Sequence, residues 1–147
     1  FCKACAAVGV NGVIIPDLPM YEYEDLYAET FHQHGISNIF LVTPQTSTER
    51  IRKIDELSNS FIYLLSSNAT TGKNLQVGES SVAYFQRLKD MQLKNPLVIG
   101  FGISNAKTFA QATDYAKGAI IGTAFVNLLG EEKYLEKIRG FVADIKA

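Results

Sequence analysis

Leu97-Val98-Ile99-Gly100-Phe101-Gly102-Ile103-Ser104 is the stretch on which the fold turns. An apolar run, β-branched at its centre, passes without a polar break into two glycines and a serine, and residues 106–116 beyond it have helical composition. The pattern predicts a buried strand, a tight loop and a helix start. It recurs at Ala119-Ile120-Ile121-Gly122-Thr123, where a short helical stretch, 124–129, follows. Three earlier runs have the same character: Gly12-Val13-Ile14-Ile15, Ile39-Phe40-Leu41-Val42 and Phe61-Ile62-Tyr63-Leu64-Leu65. Their continuity predicts strands buried on both faces, because a half-exposed strand would alternate.

Helical periods fill the intervals. Tyr23, Leu26, Tyr27, Phe31 and His34 repeat at three and four, as do Ile51 and Ile54. Val82, Phe85 and Leu88 form a third stripe, and Tyr134, Ile138, Phe141, Val142 and Ile145 a fourth. Thr46-x-x-Glu49 has the form of a capping box, and Ser104 precedes the stretch 106–116. The order is β-α repeated, which predicts a parallel α/β sheet with covering helices and right-handed crossovers. No linker, low-complexity tract or charge run divides residues 1–147, so they read as one unit.

In such folds function gathers in the loops beyond the C-terminal ends of the strands. Two of these loops, at Gly100-Phe101-Gly102-Ile103-Ser104 and Gly122-Thr123, share the order strand, glycine, helix start. Glycine lets backbone approach a ligand, and the free N–H groups of a helix start hold an anion. In (β/α)8 barrels the loops after the last two strands commonly form a phosphate site, the final one with a short extra helix. Neither loop contains Lys or Arg, so backbone amides and the Thr123 hydroxyl would do the holding. The competing reading is that these glycines only permit tight turns. A dinucleotide site fits less well, because Gly100-Phe101-Gly102 lacks the third glycine of that fingerprint.

Other classes of function recede on composition. The 147 residues are 47% hydrophobic and 20% charged, with 14 Lys+Arg against 15 Asp+Glu. That balance supplies no general field for nucleic acid or an anionic membrane, and no apolar run approaches the ~20 residues of a membrane span. Cys2 and Cys5 form a lone Cys-x-x-Cys without the second ligand pair of a zinc site, and His32 and His34 are two apart on a predicted helix. The cysteines read as small apolar positions leading into Val10, in a protein of a reducing, cytoplasmic compartment, with no metal. The chain opens at Phe1 rather than at an initiator Met or a processed signal, which suggests an expression fragment, a cleavage product or a partial sequence.

Three further features stay open on residues alone. Asp17, between Pro16 and Pro19, is a candidate general base, a ligand to a hydroxyl, or a helix cap, and its spacing favours the cap. Tyr63 either lines a pocket or fills core. The small polar stretch Ser66-Ser67-Asn68-Ala69-Thr70-Thr71-Gly72 is a lid or an ordinary surface loop, and composition favours the second.

Four segments taken together resemble the tryptophan synthase alpha chain family, in order and spacing: Gly-Val-Asn-Gly-Val-Ile-Ile-Pro-Asp-Leu-Pro, Phe-Ile-Tyr-Leu-Leu-Ser-Ser-Asn-Ala-Thr-Thr-Gly, Gly-Phe-Gly-Ile-Ser and Gly-Ala-Ile-Ile-Gly-Thr-Ala-Phe-Val. The resemblance covers nearly the whole chain. It implies a (β/α)8 TIM barrel of which residues 1–147 form strands 4 to 8 with their helices, a partial domain. It implies a lyase of tryptophan biosynthesis that cleaves indole-3-glycerol phosphate to indole and glyceraldehyde 3-phosphate. The partner would be a beta chain carrying pyridoxal phosphate, in an alpha2beta2 complex, and this chain would hold no cofactor.

Carried onto this sequence, the resemblance implies that Gly72, Gly102, Gly122 and Thr123 bind the phosphate, with Thr123 standing where the family usually has Ser. Tyr63, Phe101 and Ile120 would line the indole and glycerol pocket, and Thr71 would belong to a loop closing over substrate. Asp17 and Pro19 would face the beta chain. Ser67 replaces a frequent Arg and Ala69 a frequent Gly. The family's two catalytic carboxylates, a strand-borne Glu and a loop Asp, are expected upstream of Phe1, so no catalytic residue is assigned and the 147 residues alone are expected to be inactive. The alternatives are another phosphate-binding TIM-barrel enzyme, with a catalytic Lys upstream, and a non-catalytic half-barrel that binds phosphate.

Overall fold

A computed structural model describes residues 1–65, 79–100 and 102–146. The five apolar runs become neighbouring parallel strands in chain order. β1 (Gly12–Val13) pairs with β2 (Ser37–Asn38), and a four-stranded sheet follows in the order β3 (Leu41–Val42), β4 (Ile62–Leu65), β5 (Leu97–Gly100), β6 (Gly118–Ile120). The strand expected over 39–42 is thus two short ladders. The chain through them is continuous: Ile39 N–H donates to Val13 O at 2.8 Å, and Tyr63 N–H donates to Phe40 O at 3.0 Å. Its first half bonds β1 and its second half β4, a stagger of the kind that tilted barrel strands require. The ladder of β1 stops short of Ile15 because the chain turns there, Leu18 N–H reaching Ile15 O, and Pro16 has no N–H to offer.

Register divides the sheet into two faces. Leu41 lies opposite Tyr63, Tyr63 opposite Val98, and Gly100 opposite Ile120, all on one face. Val42, Ile62, Leu64 and Ile99 occupy the other, where they join Ile51 and Ile54 of α4 (Thr48–Leu57), Phe85 and Leu88 of α5 (Glu79–Asp90) and Ala112 of α6 (Ala106–Thr113) in one buried cluster. Burying each such large side chain contributes about 1.5–3 kcal/mol. On the first face Leu41, Leu65, Val98 and Ile120 are only half-buried. On the same face Tyr63 and Gly100 are buried, so the central strands β4 and β5 are buried on both sides, as the continuous runs lead one to expect; the helices cover one face and the other turns inward.

Helix starts also differ from expectation by one residue. Ser47, not Thr46, caps α4, its hydroxyl accepting from Arg50 N–H at 3.2 Å, while Thr46 Oγ1 accepts from Thr43 N–H. Asn105, not Ser104, caps α6, in a capping box with Thr108. Nor does Asp17 cap a helix: α2 (Met20–Glu22) begins after Pro19 with no side-chain cap.

The first stripe is broken by a π-helical turn at Tyr23–Tyr27, which precedes α3 (Ala28–Gln33). The wider turn leaves Tyr23 inside, edge-on to Phe31 and Phe40 with centroids 5.4 and 5.2 Å away, and rotates Leu26 and Tyr27 outward. In α5 the buried positions include Ser81 and Tyr84 rather than Val82. In α8 (Tyr134–Lys146) the fourth stripe is half-buried at Ile138, Phe141 and Ile145 and exposed at Tyr134 and Val142. Cys2 and Cys5 lie on α1 (Cys2–Ala7) as free thiols packed into the core.

Candidate functional site

The site grows from one register pair. Gly100 and Ile120 are opposite each other at the ends of β5 and β6, so Gly102 and Gly122, each two residues on, emerge from adjacent strands at the same edge of the sheet. Gly102 has φ +77°, a left-handed conformation that only glycine adopts without strain. Gly122 is different. Its φ is −101°, open to any residue, and a Cβ built there would meet nothing within 4 Å. Among the described residues neither backbone strain nor packing demands a glycine at 122, and what its lack of a side chain preserves there is open space before a helix.

That helix is α7 (Thr123–Leu128). Its first intrahelical bond is Val126 N–H to Gly122 O at 3.0 Å, and among the described residues no side chain caps the N–H groups before it. Gly122 and Thr123 are both exposed. The two glycine loops, alike in sequence, are therefore unlike in structure. At α6 the Asn105 side chain accepts from Thr108 N–H at 3.0 Å, and Thr108 Oγ1 accepts from the N–H groups of Ser104 and Asn105 at 3.0 and 3.1 Å. The α6 start is closed by its own capping box, whereas among the described residues no side chain caps the α7 start.

Beneath the loops lies Tyr63, 9% exposed, on the inward face. Its ring extends diagonally across β5, and a Cβ on Gly100 would overlap its Oη, Cζ and Cε2. Burial raises the Tyr63 pKa above the ordinary phenol value, so the hydroxyl stays protonated at neutral pH. Ile120 is half-buried on the same face, so Tyr63, Gly100 and Ile120 form one wall. Leu41, which stands on that face beside Tyr63, escaped the sequence reading, and Gly100 entered it only as a loop glycine. The alternation of side chains along β3 and β5 is the signal for them, once the inward face is known.

At the other end of the strand order, Asp17 is exposed in the turn after β1 and Pro19 is half-buried. They occupy the same strand-end edge, several strands from Gly122. Thr71, Gly72 and Phe101 lie outside the described residues, as does the rest of the stretch 66–78. Among the described residues no group of three or more His, Cys, Asp or Glu is arranged to hold a metal ion, and no helix is long and apolar enough to cross a membrane.

The family model described as tryptophan synthase alpha chain matches residues 1–145. The chain belongs to that family. It is 52% identical over 147 residues to the tryptophan synthase alpha chain of Christiangramia forsetii, and 53% identical over 146 residues to that of Flavobacterium johnsoniae. These alignments cover 100% and 99% of this chain but 57% of each relative, so the chain spans little more than half the length of a curated tryptophan synthase alpha chain. Among solved structures, a mutant alpha-subunit from Pyrococcus furiosus superposes with a TM-score of 0.80 at 28% identity, covering 99% of this chain and 58% of the other. The tryptophan synthase complex of the same organism gives 0.80 at 26%, covering 99% and 57%. The α/β arrangement is thus part of a tryptophan synthase alpha TIM barrel, as the sequence resemblance implied.

Proposed function

We propose that the intact alpha chain to which these residues belong cleaves indole-3-glycerol phosphate to indole and glyceraldehyde 3-phosphate, and that these residues supply its phosphate and ring-binding side. The reading is carried by one observation: Gly102 and Gly122 follow the ends of two adjacent strands, and Gly122, with open space around it among the described residues, stands before a helix start that no side chain there caps. Gly102, Gly122 and Thr123 hold the phosphate through backbone N–H groups and the Thr123 hydroxyl, with Gly72 as a further contributor on the strength of the family resemblance. Tyr63, Ile120 and Phe101 line the ring and glycerol pocket, and Thr71 belongs to the loop over the substrate.

Cleavage protonates the indole carbon that bears the glycerol chain, removes a proton from a glycerol hydroxyl, and breaks the carbon–carbon bond to leave an aldehyde. The Glu and Asp that the family resemblance implies for these transfers are assigned to none of the 147 residues. What the residues present do is fix the substrate by its phosphate and exclude water from its ring, so that the acid and base meet a held substrate. The partner is a beta chain that carries pyridoxal phosphate, met at Asp17 and Pro19, in an alpha2beta2 complex of the cytoplasm.

Steady-state release of indole from indole-3-glycerol phosphate tests the reading. In the intact alpha chain, Thr123→Val removes one hydroxyl hydrogen bond to a charged group and raises KM about tenfold, and Thr123→Ser restores it. The 147 residues expressed alone release no indole. Unchanged KM in Thr123→Val, or turnover by the 147 residues alone, sinks the assignment.

A further inference from the structure

At the opposite end of the strands, where β5 and β6 begin, a cleft of about 590 Å3 opens between the end of α5, residues 92–97 and residues 113–117. Three lysines line it, Lys89, Lys94 and Lys117, against one carboxylate, Asp114. The whole chain has a net charge of −1, so this positive excess is local.

Two of the ammonium groups are held in place. Lys89 Nζ donates to Asp114 O at 3.2 Å and Lys94 Nζ to Glu56 O at 3.0 Å. Among the described residues each ammonium has further N–H donors beyond that bond. The same bonds cover carbonyls at the C-terminal ends of α6 and α4, whose partial negative charge would otherwise oppose an anion. Lys117 is exposed, and its ammonium makes no hydrogen bond or ion pair among the described residues, although its backbone N–H is fixed to Leu97 O at 2.9 Å. Leu93 and Pro96 give the cleft an apolar side. Its volume lies in the range of small-molecule sites, about 300–1,000 Å3, and far exceeds that of a single phosphate ion.

We propose that this cleft binds an organic diphosphate, its phosphates reaching Lys89, Lys94 and Lys117 and its organic part resting on Leu93 and Pro96. The site lies at the other end of the strands from Gly102 and Gly122 and does not depend on the function proposed above.

Calorimetric titration of the intact protein with adenosine diphosphate and with pyrophosphate tests the proposal. Adenosine diphosphate binds saturably, and about 0.5 M salt weakens it, because exposed charges are screened. Lys117→Gln weakens binding about tenfold by removing a charged donor, and Lys117→Arg retains most of it. Gly122→Asp, which bars the proposed substrate-phosphate site, leaves this binding unchanged. Pyrophosphate binds at least about tenfold more weakly, for want of an organic part. The proposal is overturned if neither compound binds saturably, if Lys117→Gln has no effect, if Gly122→Asp abolishes binding, or if the two compounds bind equally.

Discussion

Tyr63 occupies the space that a side chain on Gly100 would need. The two are diagonal neighbours on the inward face of β4 and β5, and a Cβ at Gly100 would overlap the phenol oxygen and the ring carbons Cζ and Cε2. Gly100→Ala is therefore expected to displace the ring, cost about 3 kcal/mol and raise KM for any substrate that rests on Tyr63. Tyr63→Phe does not relieve the overlap, because the ring carbons remain. In a Tyr63→Leu background Gly100→Ala should cost less than about 1 kcal/mol, a coupling measurable by denaturant unfolding of the four-member cycle. Additive costs would refute the contact.

Asp55 sets an acid limit on stability. Burial pushes its pKa up, but the N–H groups of Lys94 and Asn95 and the Asn95 amide, at 2.8–2.9 Å, with the nearby Lys94 charge, outweigh it and hold the carboxyl below the ordinary value. A pKa lowered on folding contributes stability that is complete above the unfolded value, about 3.9, and is lost as pH falls through the folded value. Asp55→Ala should thus destabilise by about 2–3 kcal/mol at neutral pH, since it strands two backbone donors, and the deficit should shrink below about pH 4. Unfolding free energies measured across that range check it; a constant difference would show that the charge is not what matters.

The capping box of α6 gives a third expectation. Asn105 and Thr108 satisfy three backbone N–H groups between them. Asn105→Ala should lower stability by about 1 kcal/mol without altering phosphate affinity, since these donors are already engaged. A parallel loss of affinity in a glycerol phosphate titration would mean that the α6 start belongs to the anion site after all.

Local order carried much of this structure into the sequence. The apolar runs name the strands in their true order, and Gly102 and Gly122 stand out as glycines that close strands. What stayed hidden depends on neighbours distant in sequence or on geometry that periodicity does not encode. The π-helical turn at Tyr23–Tyr27 leaves Leu26 and Tyr27 exposed, yet residues spaced by three and four look the same whichever turn is made. Gly100 reads as a loop glycine until Tyr63, thirty-seven positions earlier in a neighbouring strand, is seen to need its space. The two glycine loops were indistinguishable because the capping of α6 rests on whether Thr108 turns back to its own helix start. Which face of each strand the helices cover is not legible either, because a continuous run of apolar residues looks the same from both sides.

The central claim is that Gly122 is bare for a phosphate. Substitution there relieves no strain and meets no neighbour among the described residues, so Gly122→Asp introduces a carboxylate at a helix start that no side chain there caps, and as a helix cap it should leave the melting temperature unchanged or raised. The decisive measurement is the affinity of the intact alpha chain for glycerol 3-phosphate with and without this change. The account predicts at least a hundredfold loss, about 2.7 kcal/mol, with stability retained. Unaltered affinity in a folded Gly122→Asp protein would contradict it.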